Sequence, residues 1–123
     1  MNKIHVKRIH EPADPGDGMR ILVDRLWPRG MTKAMAKIDL WRKHAAPSDD
    51  LRRWFGHSPE RWAEFRGRYF DELDRDPQAW TPIVEALQQG DVTLLFAAGD
   101  TSRNNAVALL EYLTAKLRLN QAD

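Results

Sequence analysis

One short segment, Asp24-Arg25-Leu26-Trp27-Pro28-Arg29-Gly30, concentrates side chains that could do chemistry. It holds a carboxylate, two guanidinium groups, a large aromatic face and a turn shaped by Pro28 and Gly30. Two arginine forks can grip a phosphate or carboxylate through paired hydrogen bonds. An indole can stack on a planar ring. If extended geometry persists, alternation puts Arg25, Trp27 and Arg29 on one side, two forks beside one indole. The same residues also suit a structural role: Asp24 and Arg25 neutralise each other at a strand end, and Trp27 closes the core.

A second cluster is Asp100-Thr101-Ser102-Arg103-Asn104-Asn105. It precedes an apolar helical pattern, so its backbone N–H groups, hydroxyls and amides suit an anion. Asp100 is a candidate acid/base or a plain partner for Arg103. Thr, Ser, Asp and Asn are equally the preferred helix caps. His57, between two helical segments, is a candidate acid/base residue or a helix-end hydrogen bonder. The four histidines lack the pairing expected of a metal site. No glycine-rich dinucleotide or P-loop motif, nucleophile elbow or zinc-protease motif is present, so no cofactor is indicated.

The elements that must position these residues follow from periodicity. Lys3–Ile9 alternates as a strand, Arg20–Asp24 is a short apolar strand, Ile38–Arg42 fits another, and Val92–Ala98 is apolar almost throughout. Thr32 caps a short helical turn through Ala36. Ser48-Asp49-Asp50 starts a helix that ends near Gly56, and Ser58-Pro59-Glu60 starts the next. Trp62, Phe65, Tyr69 and Leu73 recur on one apolar face of it. They and Trp54 and Phe55 are expected to be core. A helix with Trp80, Ile83, Val84 and Leu87 starts at Pro77 and kinks, or starts at Pro82. The last helix carries Ala106, Leu109, Leu110, Leu113 and Leu117 on one face.

This rhythm predicts an α/β fold in a single domain, residues 1–123. The expected architecture is an open, mainly parallel sheet of about four strands with helices on both faces, a Rossmann-like three-layer arrangement. The strands ending at Asp24 and Ala98 should be parallel neighbours. The short Lys3–Ile9 to Arg20–Asp24 connection leaves antiparallel pairing of those two strands open. Ligands of such sheets bind beyond the carboxyl ends of the strands, where both polar clusters would emerge.

Composition narrows the function classes. The chain has 123 residues, 30% charged and without cysteine, so a disulfide framework and thiolate chemistry are excluded. No apolar run approaches the roughly 20 residues of a membrane span, and the N-terminus lacks a secretory apolar core. A cytoplasmic protein without a membrane partner is expected. Net charge is only +1, but residues 1–43 hold 10 Lys and Arg against 5 Asp and Glu. The basic first third suits an anionic ligand.

Val23-Asp24-Arg25-Leu26-Trp27-Pro28-Arg29-Gly30 and Trp54-Phe55-Gly56-His57 resemble the bacterial YeaO-like family, a branch of a larger domain family of unknown function. The likeness continues through Lys33, Ala46-Pro47-Ser48, Thr93–Ala98, Asp100 and Asn104-Asn105-Ala106, and so spans nearly the whole chain. It implies a small α/β domain of bacterial or archaeal cytoplasmic origin, without implying a reaction. Members often carry histidine where Arg103 stands, and longer relatives place Cys and His near this turn, so that chemistry does not carry over. Asp24, Arg25, Trp27, Arg29, Lys33, His57, Asp100, Asn104 and Asn105 carry over as a polar site. The expected function is to bind, or act on, a small anionic or phosphorylated planar ligand such as a nucleotide or a nucleic-acid end. Asp24 or Asp100 would be the acid/base, Arg25, Arg29 and Lys33 would hold charge, and Asn104 and Asn105 would orient the ligand. The alternative is a non-catalytic module that binds nucleic acid or protein.

Overall fold

A computed structural model describes residues 2–121, with side chains to Arg118. Four strands form one parallel sheet: β1 (Ile4–Arg8), β2 (Met19–Leu22), β3 (Leu40–Trp41) and β4 (Val92–Phe96), in the order β1-β4-β2-β3. The register sets Leu94 of β4 between Val6 of β1 and Ile21 of β2. The strands ending near Asp24 and Ala98 are therefore parallel neighbours, as the apolar runs predicted.

The antiparallel alternative for β1 and β2 does not occur. β4 lies between them, so they need no hairpin. The chain instead returns across one face of the sheet through a 3₁₀ turn, Pro15–Asp17, whose Asp17 carbonyl accepts from Thr93 Oγ1 of β4 at 2.7 Å. At the end of this return Gly18 has φ 65°, and a β-carbon there would sit 2.1 Å from the Asp91 carbonyl oxygen. Only glycine fits that approach.

Alternation along the strands divides the core in two. Ile21, Val23, Val92, Leu94 and Phe96 pack against the larger helical layer. That layer comprises α2 (Asp49–Phe55), α3 (Trp62–Arg75), α4 (Pro77–Gln89) and α5 (Asn105–Gln121). Leu51, Phe55, Phe65, Tyr69, Ile83 and Leu109 fill it from the helix side. The Tyr69 hydroxyl donates to the Ala45 carbonyl, and burial pushes its pKa well up. On the opposite face Ile9, Leu22 and Leu95 meet Met31 and Ala36, the latter from the four-residue α1 (Lys33–Ala36).

The helix ends follow local chemistry. Thr32 and Ser48 accept from the N–H groups of Met35 and Leu51, and Gly56 closes α2 at φ 53°. α4 begins at Pro77 and keeps Pro82 in its interior. Pro82 has no N–H for the Gln78 carbonyl, which instead accepts from Arg42 Nη2 at 3.2 Å. No helix among the described residues is long and apolar enough to cross a membrane.

Candidate ligand pocket at the carboxyl ends of β2 and β4

Where β2 and β4 run out, the chains separate and leave a pocket of about 340 Å³. Asp24 is held at the fork. Val23 N–H still donates to the Leu95 carbonyl, and the next strand-end N–H, that of Ala97, donates to Asp24 Oδ2 at 2.9 Å. Asn105, the first residue of α5, donates Nδ2 to Asp24 Oδ1 at 3.1 Å and to the Val23 carbonyl at 2.9 Å. Trp41 Nε1 anchors the Asp24 carbonyl at 2.8 Å. Backbone and carboxylate are thus tied to β3, β4 and α5 together.

Arg25 turns away from Asp24. Its Nε donates to the Pro47 carbonyl at 3.0 Å and its Nη2 to the Ala46 carbonyl at 3.4 Å. Asp49 Oδ1 lies 3.9 Å from Arg25 and 3.4 Å from Arg52, so one exposed carboxylate outside the pocket lining stands between two guanidinium groups that do line it. His57 lines the opening from a backbone with φ 56°, directly after left-handed Gly56. Two successive left-handed residues turn the chain sharply out of α2 and leave the imidazole tilted beside Phe55, ring centroids 6.1 Å apart. Trp27, Pro28, Ala46, Pro47, Phe55, Phe65, Ala97 and Ala98 supply the apolar walls.

A family description, "Inactive DUF488-N3 subclade", matches residues 3–123. The chain belongs to this subclade and is YeaO-like. The uncharacterized protein YeaO of Escherichia coli is 39% identical over 110 residues, 89% of this chain and 96% of that protein. Uncharacterized proteins of Mycobacterium tuberculosis and Mycobacterium bovis are each 38% identical over 114 residues, 93% of this chain and 96% of theirs. No solved structure gives a significant match.

In this YeaO-like fold the pocket collects Asp24, Arg25, Trp27, His57, Asn104 and Asn105, but not Arg29, Lys33 or Asp100. β2 ends at Leu22, so strand alternation does not extend through residues 25–29, and the expected face of two arginines around one indole does not form. Arg29 and Lys33 are exposed outside the pocket. Trp27 is pinned by its Nε1 bond to the Met31 carbonyl and its edge-on contact with Trp41, ring centroids 5.5 Å apart. Asp100 folds its own turn: its carboxylate accepts from the N–H groups of Ser102 and Arg103 and from Arg103 Nε. Those bonds hold its pKa below the usual carboxylate range. Asn104 is buried and caps α5, accepting from Val107 N–H at 2.9 Å while its Nδ2 binds the Asp100 carbonyl.

Residue types at single positions did not single out Arg52, Phe55 or Phe65 as pocket residues. Phe55 and Phe65 are core residues by burial, yet both line the pocket. Arg52 reaches the site because it lies one helical turn from the Ser48 cap.

Burial raises the Asp24 carboxyl above its usual range, partly offset by Asn105, the Ala97 N–H and the nearby His57. The folded protein therefore keeps this proton to higher pH than the unfolded chain. Asp24's contribution to stability is largest below the unfolded value and is lost as pH rises through the folded one. Asp91 and Asp100, shifted the other way, lose their contributions as pH falls. Carboxyl-detected NMR should place the Asp24 midpoint above the ordinary aspartate value of about 3.9. A midpoint at or below that value would contradict the desolvated environment.

Proposed function

We propose that this protein binds a small ligand with an anionic group and a planar or apolar body, without turning it over. The observation that carries this reading is the recessed pocket at the strand ends, with Arg25, Arg52 and His57 around apolar walls. Its volume of about 340 Å³ suits one compact ligand, near the lower end of the ~300–1,000 Å³ typical of such sites. A nucleic-acid module would call for an open basic surface, whereas Arg25 and Arg52 border a concavity and the chain carries a net charge of only +1. The word "Inactive" in the family description supports binding over catalysis. The absence of cysteine, and so of any thiol catalyst, agrees with it. In this reading residues 1–123 form one cytoplasmic binding domain.

The test is a thermal-shift and calorimetry panel of nucleoside monophosphates, sugar phosphates and inorganic phosphate. A ligand at 100 times its Kd stabilises the native state by about 2.7 kcal/mol. Arg52→Ala should weaken binding roughly 10- to 100-fold, the worth of one hydrogen bond to a charged group, about 1.5–3 kcal/mol. It should cost at most about 1 kcal/mol of stability, because its pair with Asp49 is exposed. Affinity should also fall as salt rises. Unchanged affinity in Arg52→Ala would remove this arginine from the site, and a panel without any stabilising anion would refute the reading.

A further inference from the structure

Asp24 is the only carboxylate lining the pocket among the described residues; His57 lies nearby, but no arginine or lysine pairs with Asp24 there. Two arginines and a histidine border the same space, yet Arg25, its sequence neighbour, gives its donors to the Pro47 and Ala46 carbonyls instead. Each Asp24 oxygen accepts one protein N–H, Oδ1 from Asn105 and Oδ2 from Ala97. A carboxylate has about four lone-pair sites, so each oxygen retains one. Backbone and amide donors from β4 and α5 hold the group in a single orientation, which preorganises it for a ligand.

We propose that Asp24 is the specificity subsite of this pocket and receives the paired N–H donors of a guanine base, so that the ligand is a guanine mononucleotide. The inference rests on the anion-binding reading given above and names its ligand class. The two carboxylate oxygens flank one carbon, as do the ring N–H and the exocyclic amino group of guanine, which gives two parallel hydrogen bonds to a charged acceptor. The apolar walls suit a planar ring, and Arg52, whose pair with Asp49 is exposed, suits its phosphate. Ligands that replace the amino group by hydrogen or by a carbonyl lose a donor, and a carbonyl also sets oxygen against oxygen.

The experiment is calorimetric titration of the full chain with GMP, IMP, XMP, AMP and L-arginine, repeated on Asp24→Asn. Wild type should bind GMP at least about 10-fold more tightly than IMP or XMP, as expected for one lost hydrogen bond to a charged group. In Asp24→Asn the side chain offers one acceptor and one donor, so the preference should move from GMP toward XMP. A purely structural Asp24 would lower all affinities by one common factor and overturn the proposal. If Asp24→Asn fails to fold, the wild-type series decides: equal affinities for GMP and IMP overturn it. L-Arginine has a similar donor pair without the base, and binding as tight as GMP would overturn the nucleotide assignment. Binding of AMP or inorganic phosphate without GMP would leave the anion pocket standing and remove this inference. Binding of no anion would remove both.

Discussion

Arg20→Ala is expected to destabilise the protein by about 3–5 kcal/mol, the cost of breaking a buried ion pair from one side. Arg20 is 4% exposed and its Nη1 donates to Asp17 Oδ2 at 2.6 Å. Its Nη2 reaches the Ala36 carbonyl at 2.8 Å and its Nε the Lys37 carbonyl at 3.1 Å. This one side chain joins the return segment, β2 and the end of α1. Removing it leaves the 7%-exposed Asp17 with Lys7 as its remaining cation and strips the Ala36 carbonyl of its side-chain donor. Arg20→Lys should recover part of the loss, because an ammonium can meet Asp17 but cannot reproduce the planar fork. Urea denaturation at neutral pH measures both variants. A loss below about 1 kcal/mol for Arg20→Ala would show that the network is worth no more than an exposed pair.

Phe65→Ala is expected to cost a comparable 3–5 kcal/mol by a different mechanism, lost transfer energy plus a cavity. Phe65 is 2% exposed and stacks on Phe55 with ring centroids 4.3 Å apart and planes 22° apart. Trp62 and Tyr69 flank it at 5.7 and 5.8 Å. Periodicity alone would assign Trp62→Ala the same penalty. In the structure Trp62 is only partly buried at the margin of the cluster, so its removal exposes a surface more than it opens a void. The urea midpoint should fall further for Phe65→Ala than for Trp62→Ala. The reverse order would relocate the centre of this aromatic cluster. Because Phe65 also borders the pocket, a folded Phe65→Leu should weaken ligand binding more than Trp62→Leu does.

The amino-acid sequence by itself determined the elements whose stabilising bonds are short in range. Ser48 and Thr32 cap helices three residues ahead, Gly56 ends α2, and the apolar run from Val92 reads as a covered strand. Two apolar runs ending in polar turns also sufficed to make β2 and β4 parallel neighbours and to put Asp24 near the start of α5. The direction in which each site side chain points was decided by the tertiary structure. Arg25 follows carbonyls more than twenty positions away rather than its neighbour Asp24, and Arg52 enters from a helix the periodicity assigned to the core. Pro82 is tolerated because Arg42 serves the carbonyl it orphans. Arg29 and Asp100 have the right chemistry at the wrong place: one lies past the end of the strand that would have aimed it, and the other is consumed by its own turn. Caps and strand burial depend on neighbours within a few residues. A long polar side chain goes wherever the folded chain leaves an unsatisfied partner, and that partner exists only once distant segments have met.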